Sequence, residues 1–148
     1  MEEKDKNLTE MIIDEKKILF LLKIYEKRTR IINYIYQCEL FNISLNIEEL
    51  LINNDILEED LKILKSIEHQ YSLLKSILIK TLSSDWSYER VLPYLRAVII
   101  YGIYELMFNT PNVVINELIN ITKLHCPGNA YKFVNKVLDL VASKLHKK

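Results

Sequence analysis

Apolar residues recur at helical spacing along most of the chain. Leu8, Ile12, Leu19 and Leu22 fall near the α-helical period, and Asn7 with Glu10 has the spacing of a capping box, so a first helix is predicted from Asn7. No Gly or Pro follows until well past Phe41. Residues 27–40, with Ile31, Ile35 and Cys38 on one apolar face, form either a helix of their own or the continuation of the first. Residues 41–44 read as a loop. Asn46 and Glu49 repeat the capping spacing before a short helix ending near Asn53, and Asp55 with Glu58 repeats it again. The next helix is predicted to run to about Leu82, with Leu57, Leu61, Leu64, Tyr71, Leu74 and Leu78 inward. Residues 83–85 break it, and a short helical turn then carries Trp86, Glu89 and Arg90. Pro93 suits the first position of a helix, where its missing N–H is an orphan anyway. Residues 93–108 are apolar nearly all round and should form the buried centre. Residues 109–112 make a turn, 113–124 a helix, and 125–128 a loop with the Pro127-Gly128 pair. Asn129 can cap a last helix, 130–145, with Phe133, Val137 and Leu140 or Val141 inward. The expectation is an all-α bundle of about seven helices with an extra one at the N-terminus.

Composition narrows the class. With 148 residues, about half of them hydrophobic, the chain can bury one real core. Two Gly and three Pro leave few helix breakers. The formal net charge is zero, so no global field draws the protein to nucleic acid. Charge is uneven, however: residues 36–70 are acidic, whereas 71–148 are basic. Only a local basic patch can meet phosphate. Cys38 and Cys126 lie far apart without a CxxC or Cys/His cluster, which argues against a disulfide framework and for a reducing cytoplasm. Acids crowd the first fifteen residues, unlike a signal peptide, and residues 97–108 are too short to span a bilayer and contain Glu105. A soluble, cytoplasmic protein is expected.

The second half carries ordered motifs. Trp86-Ser87-Tyr88-Glu89-Arg90 precedes Arg96-Ala97-Val98-Ile99 and Tyr104-Glu105-Leu106. Val114-Ile115-Asn116-Glu117 and Lys132-Phe133-Val134-Asn135-Lys136-Val137-Leu138-Asp139 follow. In order and spacing these resemble the motifs of the NusB family, except that Lys136 stands where the family usually has Gly. Tyr36-Gln37-Cys38-Glu39-Leu40 is similar to a family segment nearer the N-terminus. Arg28 falls where the last arginine of an arginine-rich family stretch lies, but Ile24 and Tyr25 occupy positions usually basic. The resemblance spans residues 23–145. It implies two packed helical sub-bundles, with residues 1–22 as an N-terminal extension and 23–148 as the RNA-binding domain. It further implies binding of single-stranded boxA-like RNA in nascent ribosomal transcripts. The implied partners are a small-subunit ribosomal protein, called NusE in that context, and the transcription elongation complex. A similar fold is appended to some rRNA cytosine methyltransferases, but this sequence has no Gly-rich cofactor loop, and no cofactor is expected.

Under that resemblance, Lys27, Arg28 and Arg30 are the first RNA candidates, since guanidinium groups pair bidentately with phosphate and stack on bases. A solvated helix face is the plainer reading of the same cluster. Phe133 beside Lys132 can stack on a splayed base, and Asn129 can reach a base or phosphate where helix N–H groups are free; core packing and simple capping are the alternatives. Asn33 and Tyr36 share the basic helix. Asn116, Glu117, Asn135 and Glu105 read as structural polar residues, and Arg90 and Arg96 as partners of acids across the bundle. Leu95 stands at a usually acidic position of the implied partner surface, where it would make the contact more apolar. His69, His125 and His146 are scattered, so no enzyme is expected, and His125-Cys126 lacks a third metal ligand nearby.

Residues 7–24 hold more large apolar side chains than a free helix should expose, so this segment is expected to dock on the bundle or on a second copy of the chain. Asp14 and Glu15 would then lie close enough to the basic cluster to compete with phosphate. A helical protein-interaction module with reduced RNA binding is the rival functional reading, motivated by the thinned arginine stretch and the acidic middle.

Overall fold

A computed structural model describes residues 2–84 and 86–146, with side chains from residue 6 onward. Among the described residues there are six α-helices: α1 Glu2–Phe41, α2 Ile47–Asn53, α3 Glu58–Thr81, α4 Pro93–Leu106, α5 Pro111–His125 and α6 Ala130–Leu145, with a 3-10 turn at Tyr88–Arg90. Asp85, assigned to the break after α3, lies outside the described residues.

α1 is a single helix of 40 residues, about 60 Å long at 1.5 Å per residue. With no Gly or Pro inside it, nothing interrupts the hydrogen-bond ladder, and the expected start at Asn7 is overtaken by several residues. It ends in a Schellman motif: the Ile43 N–H donates to the Cys38 carbonyl and the Asn42 N–H to that of Glu39. Asn42 takes the left-handed conformation the motif needs, at φ 53°, which its short polar side chain tolerates. Asn46 caps α2 as expected, accepting the Glu49 N–H at 3.3 Å. Asp55 does not cap α3; Leu57 occupies that position without a side-chain bond and is exposed. Pro111 sits in the first turn of α5 and so belongs to the helix.

α4 is the centre, packed against α1, α3, α5 and α6. Ala97, Val98, Ile99, Ile100 and Ile103 are fully buried there, as the all-round apolar sequence predicts. Gly102 lets α5 and α6 approach: a Cβ at this position would meet Leu118 Cδ1 at 2.7 Å and Leu138 Cδ2 at 2.8 Å. Leu95 is buried at 6% exposure, which corrects its reading as a surface contact for a partner. It lies on the central helix, which is apolar nearly all round, and packs into the core rather than facing solvent.

Two buried polar networks tie α1 to this centre. Glu39 accepts from Arg96 Nε at 2.9 Å, from the Tyr71 hydroxyl at 2.5 Å and from the Tyr88 hydroxyl, and Lys75 Nζ lies 3.5 Å away. Arg96 also donates to the Val91 carbonyl at 2.7 Å. Burial pushes the Glu39 carboxyl up, but the two tyrosine hydrogen bonds and the charges of Lys75 and Arg96 outweigh it and hold the group below the usual carboxylate range. In the second network Glu105 accepts from Arg28 Nε at 2.9 Å and from the Tyr101 hydroxyl at 3.1 Å.

The first part of α1 runs out from the bundle. Every residue from Lys6 to Lys23 is exposed, and burial begins at Ile24. This segment therefore does not dock on its own bundle. Asp14 and Glu15 are also held away from the basic cluster: thirteen residues of unbroken helix put Asp14 about 20 Å along the axis from Lys27.

Candidate nucleic-acid interface

The basic residues Lys27, Arg28 and Arg30 of α1 face two surroundings, because helix positions turn by about 100° and residues three apart return to one side. Arg28 faces inward, 8% exposed, with its Nε on Glu105 and Nη1 3.9 Å from Glu117. It is a buried structural cation, and the expectation of a surface phosphate contact is corrected. Arg30 turns to the start of α3, donating to Asp60 at 2.6 Å and to Glu59 at 3.4 Å. The Asp60 hydrogen bond raises the arginine's pKa further, with both acids adding charge attraction. Lys27 is partly exposed, with Nζ 4.0 Å from Glu59. Acids already engage the whole cluster.

The start of α6 differs. Asn129 holds the N-cap position but makes no side-chain capping bond, and its side chain is exposed. Lys132 and Lys136, one turn apart, are both exposed. Phe133 is half-buried and meets Trp86, which is 49% exposed, with ring centroids 5.6 Å apart. The two rings and Lys136 line an open cleft of about 280 Å³ with Thr81, Leu82 and Leu140. Trp86, lying in an irregular loop with no periodicity, was missed as a site residue; its signal was a lone tryptophan in a polar motif.

A second aromatic run approaches from α1. Tyr36 packs edge-on to Tyr94 at 5.5 Å, and Tyr94 lies 5.7 Å from His125 at the end of α5. The Tyr94 hydroxyl is buried without a hydrogen-bond partner. Burial pushes its pKa above the ordinary range, so it stays a neutral potential donor. The loop 126–129 joins the two runs in sequence. Asn33 is exposed on α1, one turn before Tyr36. Asn116 and Asn135, expected to bond neighbouring helices, are exposed instead, while Glu117 does pair with Arg28.

Among the described residues no three His, Cys, Asp or Glu side chains gather to hold a metal, and His125 Nδ1 lies 2.9 Å from its own helix carbonyl at Ile121. Cys38 is buried, with its thiol pushed up to about 11 chiefly by desolvation, and is poorly nucleophilic. No described helix is long and apolar enough to cross a membrane.

The fold is an all-α bundle with two tilted aromatic rings in contact and exposed lysines at one helix end. Residues 26–143 match the NusB family. A transcription antitermination protein NusB from Nitratiruptor sp. is 30% identical, covering 82% of this chain and 92% of the relative. One from Fusobacterium nucleatum is 37% identical over 66% of this chain and 67% of its own length. The solved structure of T. maritima NusB superposes with a TM-score of 0.68 at 25% identity, covering 81% of this chain and 90% of that one. The chain belongs to the NusB family, whose members are non-catalytic transcription antitermination factors.

Proposed function

We propose that this chain acts in transcription antitermination by binding a single-stranded, boxA-like segment of nascent ribosomal RNA. It does so together with a small-subunit ribosomal protein of the NusE kind, within the elongation complex. The observation that carries the RNA contact is the Trp86–Phe133 ring pair flanked by exposed Lys132 and Lys136 at the start of α6. Single strands are held by bases stacking on aromatic faces while lysines follow the backbone. Asn129 and the free N–H groups of the α6 N-terminus add donors for phosphate or a base edge. Tyr36 and Asn33 on α1 are a second candidate contact for the RNA, and Lys27 on the same helix a third. Family membership supports the ribosomal partner, and a surface other than Leu95 meets it.

The engagement of Arg28 and Arg30 by Glu105, Glu117, Asp60 and Glu59 favours a second reading, an interaction module with weakened RNA binding. A titration of labelled boxA-like RNA, with and without the ribosomal protein, separates the two. RNA binding predicts log affinity falling with log salt by about 0.7 per neutralised phosphate. Absence of binding at low salt, with the ribosomal protein still bound, supports the interaction module.

A further inference from the structure

Two clefts adjoin between the last turns of α3 and the outer side of α6. One holds Trp86, Phe133 and Lys136. The other, of about 210 Å³, is lined by Ile77, Lys80, Val141, Lys144 and Leu145, and Thr81 belongs to both. The ring pair therefore stands at one end of a longer groove. From Lys136 to Lys144 the groove follows about two turns of α6, or about 12 Å at 1.5 Å per residue.

The charge along this groove is of one sign. Among the described residues no acid lines either cleft, and Lys80, Lys136 and Lys144 make no ion pair. By contrast, Lys27, Arg28, Arg30, Lys75 and Arg96 each meet an acid. In a chain of zero net charge, the groove thus leaves positive charge unbalanced, which attracts a polyanion. Aromatic rings at one end and unpaired lysines along the rest form the kind of groove that tracks a single-stranded backbone. The far cleft carries no aromatic ring. Its floor of Ile77, Val141 and Leu145 offers a base edge no side-chain donor or acceptor.

We infer that a single strand held at Trp86 and Phe133 runs on along the groove between α3 and α6, where Lys80 and Lys144 bind its phosphates whatever the base. This rests on RNA binding at the ring pair and adds a second, sequence-independent subsite to it. The 12 Å of groove holds about three to four nucleotides at a stacked rise of about 3.4 Å.

Fluorescence anisotropy on the full chain tests this with a boxA-like core RNA and with the same core lengthened by four uridines at its 5′ or its 3′ end. Lengthening at one end should tighten binding, and four adenines should serve as well as four uridines. If two further phosphates are neutralised, the salt slope steepens by about 1.4. Raising salt from about 50 to about 200 mM should then cost the long RNA roughly sevenfold more affinity than the core. The double variant Lys80→Ala, Lys144→Ala should abolish the gain and leave affinity for the core unchanged. Both side chains are exposed, and circular dichroism checks that helix is retained. Core binding with no gain at either end overturns the inference and leaves the RNA reading standing; a groove that takes an acidic protein segment would give that result. A gain that the double variant keeps overturns it as well. A core RNA that does not bind removes the RNA reading and this inference with it.

Discussion

Arg28 and Glu105 meet across 77 residues of chain, with Nε of one 2.9 Å from Oε1 of the other and both side chains at or below 10% exposure. The arginine that a family motif marks for RNA is thereby a strut between α1 and α4. Removing one partner of a buried pair leaves the other charge uncompensated, so Arg28→Ala should cost about 3–5 kcal/mol of stability in urea denaturation. A loss below about 0.5 kcal/mol, the range of ordinary surface substitutions, would show the guanidinium to be free.

Lys132→Ala and Lys136→Ala should leave stability within about 0.5 kcal/mol of the parent. Each should lower the salt slope of RNA binding by about 0.7 if it neutralises one phosphate. Phe133→Ala and Trp86→Ala should weaken RNA binding by about 1–3 kcal/mol per lost stack. Fluorescence anisotropy over a salt series reads all four. Unaltered affinity in the two aromatic variants would remove the stacking platform.

Glu39 predicts the acid limb of stability. Its folded pKa lies below the ordinary glutamate value. Its contribution is therefore fully present above the unfolded value of about 4.3 and is lost as pH falls through the lower folded value. Glu39→Gln should be less stable at neutral pH and show a flatter fall between about pH 5 and pH 3. Thermal melts across that range check it, and parallel curves for parent and variant would contradict it.

Packing around α4 makes a further forecast. Gly102→Ala pushes a methyl into Leu118 and Leu138, and overpacking of this kind costs about 1–3 kcal/mol. Ile103→Ala, at a fully buried site, should cost about 2–5 kcal/mol by leaving a cavity. A neutral Gly102→Ala would mean that the two leucines repack freely.

Helix content, the buried character of α4 and the bounds of α6 were legible because periodicity and breakers report them locally. The unity of α1 was left open, since a helix that leaves the bundle does not switch its residue types there. The site was only half legible. Lys132, Phe133 and Asn129 lie close in sequence and stay close in space on one helix end. Arg28 is a sequence neighbour of Lys27 and Arg30 but turns away from them around the helix: it meets acids of α4 and α5, while the other two meet acids of α3. Only tertiary packing could reveal that competition. Leu95 failed for a related reason: a leucine does not announce whether its side faces a neighbouring helix or solvent.

The unbroken ladder of α1 makes its exposed first part a geometrical ruler. Each residue between its tip and Arg28 adds about 1.5 Å and a turn of about 100°. The compass bearing of Leu8, Ile12, Leu19 and Leu22 relative to the ring pair is therefore set by counting residues. A one-residue insertion near Lys23 would swing them by more than a quarter circle, while a seven-residue insertion would return them almost to their starting bearing, about 10 Å farther out.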